Sequence, residues 1–261
     1  MTLNIYQVDA FSDKLFGGNP AAIVPLKEWL SDELMQKIAS ENNLSETAFY
    51  VRTQNGFHIR WFTPAVEVAL CGHATLATAH VIFNIEKYPN DVIELDSKSG
   101  ILKVTKKGKF FELDFPAQKI ELAEPPQNLI EAIGKKPIER HKAVDDYFLV
   151  YKSGADIAEM KPNFSLLKNV KARGIIVTAK GKGKIDFVSR FFAPGSGIDE
   201  DPVTGSAHTK LVPYWANKLN KQSFLAHQIS ERKGVLYCKL ESDRVLMPGK
   251  TKLYLKGKIY V

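Results

Sequence analysis

The chain has 261 residues, 44% hydrophobic and 25% charged, with a formal net charge of +7. That composition is ordinary for a globular protein with a real core, as one large domain or two of about 130 residues. It excludes a membrane span, since no run approaches ~18 apolar residues, and Cys71 and Cys238 are too few for a disulfide framework. The N-terminal MTLNIYQVDAF is no signal peptide, so a cytoplasmic location is expected. The lysines are dispersed among turns (Lys106, Lys107 and Lys109; Lys180, Lys182 and Lys184; Lys250 and Lys252), without zinc-finger or aromatic–basic motifs. A solvated surface, not a nucleic-acid partner, is the expectation.

Taken in order, Asn4 to Phe11 reads as a strand and Gly17 to Pro20 as a turn. Ala21 to Pro25 is a short strand. Ser31 caps a helix to about Asn42, with Asp32 and Glu33 at its positive end and Leu34, Ile38 and Ala39 on its apolar face. Ala48–Arg52 and His58–Phe62 form a hairpin around Gly56. A helix runs from Gly72 to about Asn84, its alanines suited to close packing inside a sheet. Residues 92 to 115 form a meander. Polar, proline-bearing Pro116 to Pro126 marks a boundary, giving domains 1–118 and 119–261. A short helix, Gln127 to Ile133, opens the second half. Strands follow at Tyr147–Tyr151, Gly174–Val177 and Ile185–Phe192. Gly205 starts a helix that Pro213 kinks or ends. The rest reads as hairpins turning near Lys233-Gly234, Ser242-Asp243 and Gly257-Lys258.

Two stretches share one plan. RWFTPAVEVALCGHA, from Arg60, and RFFAPGSGIDEDPVTGSA, from Arg190, both open Arg-aromatic-Phe-(Thr or Ala)-Pro and both reach Gly-polar-Ala. They lie 130 residues apart, and the second carries three more residues between its proline and its glycine. The pattern reads as an internal duplication, with two pseudo-symmetric β-rich domains, each a half-open barrel around one helix. A cleft between such domains is a natural ligand site.

Gly72-His73 and Gly205-Ser206 place glycine at helix N-termini, where backbone N–H groups and the helix dipole suit a carboxylate or phosphate. The alternative is that glycine only allows tight strand–helix packing. Glu46, between Ser45 and Thr47, is either a general base or a cap. His73 is a candidate acid/base partner, expected to be neutral at a helix N-terminus, or a structural histidine. Asp201, before Pro202, either orients a proton-transfer group or belongs to a solvated acidic turn. Ser206 has no nucleophile elbow and is preferred as a hydrogen-bond donor. His73, His80 and His208 show no zinc spacing, and no Rossmann or Walker motif is present, so chemistry without metal or nucleotide is expected.

The motifs DAFSDKLFGGNPAA, NLSETAFYV, IRWFTPAVEVALCGHATLATA and DEDPVTGSAH, in this order, resemble the phenazine-biosynthesis isomerase-like (PhzF-like) family over essentially the whole chain. The resemblance implies an α+β, diaminopimelate-epimerase-like fold of two similar domains with the active site between them. It also implies a last strand that can return to the first domain, and a homodimer. It implies that Glu46 shuttles a proton within the substrate, supported by His73, Asp201 and Ser206, while Asn19, Ser45, Gly72 and Gly205 contact the substrate. Related epimerases and racemases pair two cysteines. Here Cys71 stands at the first such position, but Thr204 falls at the second, and a hydroxyl is too weak an acid to replace a thiol. The expectation is therefore a cofactor-independent isomerase acting on a small carboxylate-bearing substrate. An amino-acid epimerase using Cys71 and a non-enzymatic binder are the alternatives.

Overall fold

The computed structural model describes residues 1–261. The first half contains β1 (Thr2–Ala10), β2 (Asn19–Leu26), α1 (Asp32–Asn42), β3 (Glu46–Arg52), β4 (Phe57–Phe62), β5 (Glu67–Val68), α2 (Gly72–His80), β6 (Val92–Asp96), β7 (Leu102–Lys107) and β8 (Phe110–Pro116). A π-helical turn, Val81–Ile85, extends α2. Then come β9 (Glu121–Leu122), α3 (Gln127–Ile133), β10 (Glu139–Ala143), β11 (Asp146–Val150), α4 (Gly154–Ala158), α5 (Phe164–Leu167), β12 (Gly174–Lys180), β13 (Phe187–Ala193) and β14 (Ile198–Glu200). The chain closes with α6 (Gly205–Leu219), β15 (Ser223–Gln228), β16 (Gly234–Glu241), β17 (Arg244–Gly249) and β18 (Thr251–Tyr260).

Two compact units result, Met1–Phe115 with Leu246–Val261, and Pro116–Val245. This division differs from 1–118 and 119–261 because β18 pairs antiparallel with β1, from Thr2↔Tyr260 to Ala10↔Thr251. Ladder hydrogen bonds between the two chain ends leave no trace in local composition. The turn expected at Gly257-Lys258 is absent for the same reason. Gly257 pairs with Ile5 inside the strand.

The two units repeat one pairing scheme. In the first, β1–β2 is antiparallel, β2–β3 parallel, β3–β4 and β4–β5 antiparallel, β4–β6 parallel and β6–β7 antiparallel. In the second, β10–β11, β11–β12, β12–β13, β13–β14, β13–β15 and β15–β16 follow the same sequence of senses. The shared motif has a physical role in both copies. Arg60 donates through Nε and Nη2 to the two carboxylate oxygens of Glu67, each at 2.8 Å, and lies 5.2 Å from the Phe62 ring. Arg190 makes the same fork to Glu200, each bond 2.7 Å, over Phe192 at 4.8 Å. Paired guanidinium–carboxylate bonds of this kind fix the two groups relative to each other. The longer connection of the second copy opens with a 3-10 turn at Pro194–Ser196.

In each unit one helix is taken into the interior. Every residue of α2 from Gly72 to Ala79 is buried, and the helix contacts β1, β2, β3 and β18. β2 is buried on both faces. Ala22 and Val24 pack with Met35, Ile38 and Ala39 of α1, so Ala21 and Ile23 point the other way. In the second unit Leu129, Ile133, Ile157 and Leu167 of α3 to α5 cover Ile175, Val177 and Phe192. Ser31 caps α1 as expected, accepting from Leu34 N. Pro213 neither ends nor splits α6. It removes one intrahelical donor, and the carbonyl of Thr209, one turn back, instead accepts from Gln118 N at 2.9 Å.

The turn before β2 depends on Gly18, at φ +67, where an added Cβ would lie 2.1 Å from the Ala10 carbonyl oxygen. Left-handed geometry and backbone contact together make Gly18→Ala costly. Urea denaturation should show a loss of at least about 2 kcal/mol.

Candidate active site

Three adjacent pieces of local structure bring the first group together. Asn19 starts β2, Glu46 starts β3, and His73 is the second residue of α2. β2 and β3 run parallel with Ala21 beside Glu46, so both strands begin at the same edge. The His73 ring lies between the other two side chains. Nε2 is 3.0 Å from Glu46 Oε2, and Nδ1 is 3.1 Å from Asn19 Nδ2. Cys71 Sγ is 3.5 Å from Nδ1. Asn19, Cys71, Gly72 and His73 are buried, while Ser45 and Glu46 are half-buried. The N-cap residue of α2 is Cys71, which gives no side-chain cap, so the helix end keeps backbone donors for another acceptor.

Opposing influences act on His73, which the sequence leads one to expect neutral. Burial disfavours the imidazolium, but negative charge on Cys71, when ionised, and on Glu46 outweighs burial and holds His73 well above the usual histidine value. Burial, with Glu46 adding to it, pushes Cys71 up to about 11. Near neutral pH Cys71 is therefore a thiol. An amide N–H from Asn19 to Nδ1 suits the neutral ring. The imidazolium requires the Asn19 amide to turn its oxygen toward Nδ1. Glu46, Cys71 and His73 also bring carboxylate, thiol and imidazole donors within 4.8 Å of one another. The set matches zinc chemistry, but two of its three donors already contact each other.

The second unit carries a different group at the N-terminus of α6. Thr204 is the N-cap residue, again without a side-chain cap. Its hydroxyl donates to Asp201 Oδ2 at 2.5 Å. Fully buried Gln228 accepts from Thr204 N at 2.9 Å and donates to the Asp201 carbonyl at 2.7 Å. Ser206 Oγ accepts from Arg173 Nη1 at 3.1 Å, and a hydroxyl that accepts still carries its own O–H to donate. Arg173 is also ion-paired with Asp146, which is fully buried and 2.9 Å from Lys210 Nζ. His208 donates through Nδ1 to the Thr204 carbonyl at 2.8 Å. Thr75, at the matching position of α2, bonds the Cys71 carbonyl at 2.6 Å.

The structure thus brings Asn19, Glu46 and His73 into contact, with Ser45 and Gly72 adjoining them along the chain. Asp201 contacts Thr204, and Gly205 and Ser206 form the first turn of α6. Sequence reading missed Arg173, Asp146, Lys210 and Gln228. Each is single, with no motif around it, and only the fold assembles them. The Arg–Glu forks were within reach, since Glu67 and Glu200 both stand five residues before their glycine.

A curved sheet wrapped on a buried helix, present twice, is the architecture of the epimerase-like isomerases. A hydroxyproline epimerase from Agrobacterium vitis shares the fold, with a TM-score of 0.67 at 10% identity over 99% of this chain and 92% of that one. The model of the phenazine biosynthesis-like protein family matches residues 8–259. An uncharacterized isomerase of Pseudomonas aeruginosa is 50% identical over 259 residues, covering 99% of both chains. A PhzF-family crystal structure from Enterococcus faecalis superposes with a TM-score of 0.95 at 45% identity, covering 100% of each chain. The chain belongs to the phenazine biosynthesis-like family, and it is an isomerase. No helix is long and apolar enough to cross a membrane.

Histidine titration followed by NMR should separate the two helix starts. His73 should titrate above 6.5 and fall in Glu46→Gln, whereas burial holds His208 at about 4. A buried histidine with a lowered pKa binds its proton more readily when unfolded. Stability should therefore fall as pH drops from 6.5 toward 4, and His208→Gln should flatten that fall in pH-dependent denaturation. His73 acts with the opposite sign: its contribution is complete below 6.5 and lost as pH rises through its raised value.

Proposed function

We propose that this protein moves a proton within a small, carboxylate-bearing substrate, with Glu46 as the single acid/base and no cofactor. The observation that carries the reading is the contact of Glu46 Oε2 with His73 Nε2 at 3.0 Å, with Asn19 and Cys71 against the same ring. As carboxylate, Glu46 removes a proton from a carbon acidified by conjugation. As carboxylic acid, it returns that proton to another carbon on the same face. His73, in contact with Glu46, supplies an N–H to the enolate-like charge of the intermediate. Asp201 helps orient or stabilise that charge. Each uncapped helix end, at Gly72 in one unit and at Gly205-Ser206 in the other, suits a substrate carboxylate, and Asn19 and Ser45 are further substrate contacts.

A two-thiol epimerase is less well supported. Cys71 is pushed up to about 11, and the matching residue before the second helix is Thr204. The reading also carries a cytoplasmic location and a homodimer; analytical ultracentrifugation of the purified protein tests the dimer.

Deuterium exchange followed by NMR in D₂O, over cyclic dienes bearing carboxylates and over α-amino acids, tests the chemistry. Glu46→Gln should lower the exchange rate by about 10² or more with an unchanged melting curve. Full activity in that variant removes Glu46 from the mechanism. Exchange confined to an amino-acid α-carbon and lost in Cys71→Ser transfers the reaction to the thiol.

A further inference from the structure

The second unit repeats the strand scheme of the first but places different chemistry at the same positions. Phe49 pairs with Arg60 as Val177 pairs with Arg190, so β3 and β12 correspond. Ala21 pairs with Glu46 as Asp146 pairs with Gly174. In this correspondence Gly174 stands where the first unit has Glu46, Arg173 where it has Ser45, and Ser206 where it has His73. The acid/base half-site of one copy is matched by a guanidinium–hydroxyl pair in the other.

That pair has a costly foundation. Asp146 is fully buried and Lys210 is 4% exposed. Such groups are tolerated inside a protein only when paired, and here both brace one position. Asp146 holds one guanidinium nitrogen of Arg173, and Lys210 Nζ holds Asp146 and also donates to the Ser206 carbonyl at 3.2 Å. The Arg173 main chain is fixed as well, donating to Asp145 O at 2.7 Å and accepting from Ser196 Oγ at 3.0 Å. Its guanidinium lies 5.2 Å from the Phe191 ring, which leaves no space for a side chain at Gly174. Unlike its buried supports, the Arg173 side chain is 38% exposed. The other carboxylate nearby, Asp145, is exposed and belongs to the turn before β11.

We infer that Arg173, with Ser206, is a specificity-determining carboxylate seat. It selects substrates whose carboxylate meets a fixed guanidinium beside the first turn of α6. The inference rests on the isomerase reading above, which gives that helix end a carboxylate but assigns nothing to Arg173. A planar, permanently charged fork matches a carboxylate, and lysine does not reproduce its geometry. The buried Asp146–Lys210 pair keeps the fork aimed without a ligand present, which lowers the ordering cost of binding.

The test reads binding, so it is separate from turnover. Benzoate, benzamide and inorganic phosphate are titrated into ¹⁵N-labelled protein while the Gly205, Ser206 and Ala207 amide signals are followed. Benzoate should shift them saturably in the wild type and in Glu46→Gln, and benzamide should not. Arg173→Met should weaken benzoate binding at least about tenfold, with Arg173→Lys between the two. Because Lys210 still pairs Asp146 in Arg173→Met, a normal melting curve is expected, and Arg173→Lys keeps the test usable if that variant unfolds. Unchanged benzoate affinity in a folded Arg173→Met, equal response to benzamide, or a response to phosphate alone overturns the assignment. Benzoate binding that depends on Arg173, in an enzyme showing no Glu46-dependent exchange, upholds the seat and overturns the Glu46 mechanism.

Discussion

A helix enclosed by its own sheet constrains everything else in this molecule. In α2 the residues from Gly72 to Ala79 are all buried, so every side chain on it must fit against the sheet. Ala74, Ala77 and Ala79 let the strands approach closely, and glycine at the first position lets the backbone enter between strand ends. The same enclosure puts the helix N-terminus, with its uncapped N–H groups, among side chains instead of in water. Dipole and donors act more strongly there than on an exposed helix. The site follows from the packing solution, since the place where the helix enters is the place where charge is best held.

Two copies of that solution have diverged in chemistry while keeping their mechanics. The forks of Arg60 with Glu67 and Arg190 with Glu200 tie the short strand before each helix to the sheet, and the equivalent bonds of Thr75 and His208 to the N-cap carbonyls set the first turn. On those common supports, one unit places a carboxylate and an imidazole in contact. The other places a hydroxyl under a guanidinium, braced by a buried Asp–Lys pair. Duplication allows this because the strand and helix frame needs only small or apolar residues at the packed positions. The polar positions at the helix entrance are then free to change.

Much of this was legible along the chain. α1 with its Ser31 cap, α3, the hairpin of β3 and β4, and the starts of α2 and α6 all follow from local rules of capping, alternation and glycine placement. Glu46, His73 and Asn19 were singled out. A dipole argument sees the helix end but not the carboxylate that folding sets against the His73 ring. The continuous α6 was hidden because the acceptor left open by Pro213 finds its donor in Gln118, ninety-one residues earlier.

The sequence by itself determined the duplication, the two helix starts, the family and the kinds of residue available for proton transfer. These are encoded in short stretches whose spacing and composition are visible without a fold. Only the tertiary structure decided the register in which β18 closes onto β1, that Glu46 meets the His73 ring, and that Arg173, Asp146, Lys210 and Ser206 form one cluster. Each of those facts is a contact between segments far apart in the chain. Its energy depends on distance and burial, which no local pattern of residues records.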